Sequence, residues 1–172
     1  MPDSRRFQKR MDAHRDDFMK SLNLGEFAGE FRLKWVGPSN FQYIPDPDDP
    51  FRFIRHDENG EVRGVVQPEK MRTTGGSVPK IIQLVPGLSS WDYGPAYMIH
   101  DWEFEAHDRG KEPGATRYRK SFKQVNLTLA EAIWTLMVRG YKRHKKPKKN
   151  ANNVVAVYRG VSSAIGRAIW KD

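Results

Sequence analysis

Between Tyr97 and Phe104 the chain reads Tyr-Met-Ile-His-Asp-Trp-Glu-Phe, which sets a histidine and an aspartate, His100 and Asp101, side by side inside an apolar run. Such groups are costly to bury unless they are hydrogen-bonded or hold a ligand, so the pair is the first place to look for chemistry. Two chemistries suit these residue types. His100 can serve as a general base oriented by a carboxylate, or Asp101 and Glu103 can supply oxygen ligands to a hard cation. A His/Glu/His transition-metal set reaching His107 is a weaker third, because nothing in the sequence turns His107 inward.

These residues need a helix to hold them and neighbours to complete them. Asp92-Tyr93-Gly94-Pro95 reads as a helix start and Asp108-Arg109-Gly110 as its end. Helical spacing then puts His100, Glu103, Phe104 and His107 on one face, with Asp101 about a quarter turn away. Upstream lies Thr73-Thr74-Gly75-Gly76-Ser77-Val78-Pro79-Lys80. Gly75 and Gly76 allow close backbone approach and can aim N–H groups at an anion or carbonyls at a cation; the plainer alternative is a strand-to-helix connector with Ser77 near a cap. Downstream, a helix begins between Ser121 and Thr128, with capping-box spacing in Thr128-Leu129-Ala130-Glu131 and a core face of Phe122, Val125, Leu129, Ile133 and Leu136. Asn126 falls on or beside that face if the helix starts early, and in the preceding turn if it starts at Thr128; both place it near the core.

Composition narrows the classes. With 172 residues, 38% of them hydrophobic, the chain supports one globular domain with its own core. There is no cysteine, which excludes disulfides, thiolate metal sites and a cysteine nucleophile. No apolar run reaches membrane-span length, and the N-terminus leads into charges instead of an apolar signal region, so synthesis and folding in a cytosol are expected. The net charge of +9 implies attraction to polyanions: nucleic acid, acidic lipid or an acidic protein. The positive excess concentrates between Arg139 and Asn150, where Lys142, Arg143, Lys145, Lys146, Lys148 and Lys149 flank the helix-breaking Pro147. This segment reads either as a solvated loop between helices or as a set of phosphate contacts, and no interleaved aromatics mark it as a base-stacking platform.

The expected architecture is α+β. Residues 1–72 hold an amphipathic helix, Ser4 to Leu22, with Phe7, Met11, Phe18 and Leu22 as a docking stripe, followed by antiparallel β-hairpins. Phe31, Leu33 and Trp35 alternate with polar residues and pair with Phe41 to Ile44; Phe51–Arg55 and Glu61–Val66 flank a tight turn at Asn59-Gly60. The acidic, proline-broken stretch from Pro45 to Pro50 lacks EF-hand spacing and reads as a surface turn. Residues 73–172 hold three main helices, the last running from Ala151 to Trp170 with small residues at Gly160, Ala164 and Gly166 for close packing.

The order Gly-Gly-Ser-Val-Pro, then an apolar helix with His-Asp and an aromatic three residues after the Asp, then a polar-opening helix with Glu five residues on, then Tyr-Arg-Gly and a terminal Gly-Arg-Ala-Ile-Trp, resembles a phage and prophage domain family of unknown function. It spans Thr73 to Trp170. That family carries Asp-Gly-Ala-Ser-Val-Pro at the first motif and an Asp at the start of the later helix; this chain has Thr74 and Asn126 there. The family's His-Asp helix is in turn similar to the catalytic helix of secretory phospholipase A2. Carried over by position, the resemblance implies His100 as the base, Asp101 as a calcium ligand, Phe104 in place of a tyrosine, Asn126 in place of the carboxylate that orients the histidine, and Gly75-Gly76 within a calcium loop. An amide accepts a hydrogen bond from imidazole but does not stabilise imidazolium with charge, so the resemblance implies a weakened or degenerate site. Three functions follow. The first is a phage-encoded, infection- or virion-associated structural or accessory protein, made in the host cytoplasm and partnered by other virion proteins. The second is a calcium-dependent lipid or ester hydrolase. The third is a nucleic-acid-binding accessory protein using the basic segment and the N-terminal helix.

Overall fold

The computed structural model describes residues 4–38, 40–73, 93–113, 118–142 and 146–170. The chain is α+β: a leading helix, two small antiparallel sheets, then helices through the C-terminal half. Helix α1 spans Ser4–Lys20, and its Phe18 and Met19 pack against the core, with the Phe18 ring 4.7 Å from that of Tyr158. The C-terminal part of its apolar stripe therefore docks onto the rest of the protein.

The strands are β1 (Glu26–Ala28), β2 (Leu33–Gly37), β3 (Asn40–Tyr43), β4 (Arg52–His56), β5 (Val62–Val66) and β6 (Met71–Thr73). The two hairpins legible in the sequence each gain a three-residue strand, so the sheets run β1-β4-β5 and β2-β3-β6. Period-two alternation sends one face of each inward. Phe53 sits between Phe27 and Val66, Tyr43 between Leu33 and Met71, and both Phe53 and Tyr43 are fully buried. Gly60 turns the β4-β5 hairpin with φ of +84°, a left-handed conformation that costs glycine little. The acidic stretch is indeed a turn: Asp46 Oδ1 accepts from the backbone N–H of Asp48 (3.0 Å) and Asp49 (3.3 Å).

Helix α2 covers Gly94–Arg109 with Pro95 in its first turn, where the missing N–H costs nothing. Helix α3 covers Phe122–Arg139 and takes the earlier of the two starts: Ser121 is its N-cap, and Ser121 and Gln124 form the reciprocal capping box. Thr128 is therefore mid-helix, and its hydroxyl donates back to the Gln124 carbonyl at 2.9 Å. The final helix is not continuous as expected. It divides into α4 (Ala151–Val161) and α5 (Ala164–Trp170) at Ser162-Ser163. The break folds α5 back so that Gly166 approaches the end of α4 closely; a Cβ on it would lie 1.9 Å from the Val161 carbonyl oxygen. It also brings Trp170 against Phe104, Phe122 and His107. One apolar cluster joins the sheets to the helices, from Phe27, Phe51 and Phe53 through Tyr141 to Ile99, Leu129, Ile133 and Val154. Among the described residues no helix is long and apolar enough to cross a membrane.

Candidate functional site

The first part of helix α2, from Pro95 to Glu103, is mostly buried and α3 packs beside it, so the polar side chains there have little access to water. His100 and Asn126 meet at this junction, both buried, with His100 Nε2 3.0 Å from Asn126 Oδ1. In this arrangement the neutral ring donates its Nε2–H to the amide oxygen and keeps a lone pair on Nδ1. Burial holds the imidazole pKa below its usual value, against the opposing pull of the Asn126 hydrogen bond and the nearby Asp101 carboxylate. The Phe104 ring lies one turn on, 4.7 Å from the imidazole. Asn126 Nδ2 is buried with no hydrogen-bond partner among the described residues.

Asp101 turns another way. Its Oδ2 accepts from the Thr73 hydroxyl at 2.7 Å, tying α2 to the end of β6. It borders a cleft of about 260 Å³ also lined by Asn40, Thr73, Phe104 and Asp108; His100 is not among the residues lining it. The structure thus brings His100 to Asn126 and Asp101 to Thr73, but gives the His-Asp pair no shared cavity among the described residues.

Glu103 diverges from both. It is fully buried and one of its oxygens takes hydrogen bonds from Lys120 and from Tyr118, the latter at 3.0 Å. Burial raises its carboxyl pKa, with Lys120 and Tyr118 pulling it back. Burial and the same carboxylate push the Tyr118 hydroxyl up as well. Asp101 and Glu103 therefore do not converge as the paired cation ligands the sequence suggested, because residues two apart on a helix point to opposite sides. No group of three or more His, Asp or Glu side chains capable of holding a metal exists among the described residues. His107 does not join Glu103; it stacks on Trp170 with ring centroids 3.7 Å apart. Gly75 and Gly76 lie outside the described residues.

The basic segment differs from a freely solvated loop. Lys142 pairs with Glu30 and with Asp49 (3.2 Å), Lys146 donates to the Val138 carbonyl at the end of α3, and Lys149 lies 4.9 Å from the centroid of the Trp134 ring. Lys148 is exposed, and Arg143 and Lys145 lie outside the described residues. Several of the cations that suggested a phosphate-binding row thus pin the segment to the protein.

Sequence reasoning missed the partners that complete these clusters: Thr73 for Asp101, Lys120 and Tyr118 for Glu103, and a third buried group, Glu131, which bonds Arg55 (2.8 Å) and Arg63 across from the β4-β5 hairpin. A carboxylate inside Leu129-Ala130-Glu131-Ala132-Ile133 was the available signal for the last. No family model, no curated protein and no solved structure matches the chain.

Proposed function

We propose that the chain is an infection- or virion-associated accessory protein of a bacteriophage, made in the host cytoplasm and assembled with other virion proteins, in which a phospholipase-A2-like His-Asp helix serves as a structural junction. The phage attribution draws on the motif order between Thr73 and Trp170. The structural role of the helix draws on one observation: His100 is buried against an amide, and Asp101 is turned to Thr73 and to a cleft whose described lining lacks His100. A working general base needs a charge-stabilising partner and a reacting atom within reach, and a hydrogen bond to a neutral amide supplies orientation alone.

The second reading, a calcium-dependent lipid or ester hydrolase, is favoured by the His100 geometry itself, since donation from Nε2 to Asn126 leaves Nδ1 in the basic form. Two measurements separate the readings. The accessory role predicts stoichiometric recovery of the chain in purified particles, by quantitative mass spectrometry, and no calcium-dependent fatty-acid release from phospholipid vesicles. Calcium-dependent release that disappears in His100→Ala, in a variant that keeps its thermal transition, would replace that reading with the hydrolase.

A further inference from the structure

A second cleft, of about 840 Å³, opens where the end of α2 meets the start of α3. Lys111, Arg119, Lys120 and Ser121 line it, and the stacked His107 and Trp170 rings close one side. No carboxylate lies among its described lining residues. Behind the wall, Glu103 holds Lys120, and Asp108 lies 3.5 Å from Lys111 Nζ, which also donates to the Trp170 carbonyl. Two of the cations are thereby held in place, while Arg119 is exposed. Arg167 adds charge nearby, its guanidinium 5.2 Å from the centroid of the Phe122 ring. Along the sequence from Tyr118 to Trp170 there are twelve lysines and arginines and one carboxylate side chain, Glu131, which is buried and paired with Arg55 and Arg63.

We infer that this cleft binds a small phosphate-bearing anion. The described lining residues supply ammonium and guanidinium donors and the Ser121 hydroxyl and no carboxylate, a concave set that matches an anion of several oxygens better than a neutral or cationic ligand. It is separate from the His100 junction and does not depend on the role proposed for that junction. Glu103 and Asp108 fix the lysines at the wall without entering the cleft.

The test is calorimetric titration of the full chain with pyrophosphate, alongside a 5′-unphosphorylated DNA oligonucleotide and phosphatidylcholine vesicles containing phosphatidic acid. Arg119→Gln and Lys111→Gln are the site variants; both residues are solvent-facing, and retained thermal transitions confirm folding. Lys148→Gln is the control for general surface charge. Saturable pyrophosphate binding, weakened at least tenfold in each site variant and unchanged in the control, is expected. The assignment is overturned if pyrophosphate does not saturate, if the control weakens it equally, or if only the oligonucleotide or only the vesicles bind.

Discussion

Two polar clusters are buried against the same helix, α3, and they are built on opposite principles. Glu131, on one face, is closed by charge: Arg55 and Arg63 reach it from two strands, and its side chain is only 4% exposed. Asn126, on another, meets His100 through a single neutral hydrogen bond, and its amide N–H groups find no partner among the described residues. The first cluster is a clamp between sheet and helix in which both carboxylate oxygens are occupied. The second retains hydrogen-bonding capacity that no described residue uses. The difference is one of pairing: charge closes the Glu131 cluster on both oxygens, and a single neutral hydrogen bond holds the His100–Asn126 junction.

Breaking the clamp should have the largest effect. Glu131→Ala strands Arg55, whose side chain is 12% exposed, as an uncompensated buried cation and leaves the more accessible Arg63 free to reach water. Removing one partner of a buried pair costs about 3–5 kcal/mol, and the solvent access of Arg63 places the expected loss toward the lower end. Urea denaturation reads it directly as a lower midpoint. A loss smaller than that of Asn126→Ala would erase the distinction between the clusters.

At the junction, Asn126→Ala leaves the His100 Nε2–H buried without an acceptor, for an expected loss of about 1–3 kcal/mol in the same assay. Asn126→Asp sharpens the comparison further, because it converts the neutral cluster to a charged one. A carboxylate 3.0 Å from the ring favours imidazolium and should raise the His100 pKa relative to the native protein, followed by NMR titration of the ring resonances. An unmoved titration would mean that residue 126 does not hold the histidine.

The legibility of the molecule divides along related lines. Elements with a strong local pattern were readable: Asn59-Gly60 between alternating runs gave the β4-β5 hairpin, and Tyr93-Gly94-Pro95 gave the start of α2. The strands β1 and β6 were not, because three residues carry too little periodicity and form only through pairing with β4 and β3. Apolar spacing continues across Ser162-Ser163, so the break before α5 was hidden; what decides it is the tertiary packing of Gly166 and Trp170. Within the site, helical spacing placed His100 beside a following helix and kept Asn126 close, but it could not say where Asp101 and Glu103 would find their partners. Thr73 and Lys120 lie 28 and 17 residues away from those carboxylates, and contacts at such separations are set by the fold, not by spacing.

The smallest effect expected is a pH dependence, and its sign follows from burial. The folded protein holds the His100 pKa below the usual value of 6.5, so on acidification the unfolded chain binds this proton first. Stability contributed by the neutral, buried ring is therefore complete above about pH 6.5 and is lost as pH falls through that value toward the folded pKa, by at most about 1.4 kcal/mol per pH unit. Glu103 acts with the opposite sign. Its folded pKa is raised above 4.5, so its contribution is present at low pH and is lost as pH rises from that value. The two windows overlap, and the native curve alone does not separate them. His100→Gln does, because glutamine can donate an amide N–H to Asn126 without titrating, so the difference between native and variant stability isolates the histidine. Between about pH 7 and about pH 5 the native protein should lose more stability than His100→Gln. Parallel curves would show that His100 gains its proton as easily folded as unfolded, and the junction would then be solvated and charged like an ordinary surface histidine instead of neutral and closed.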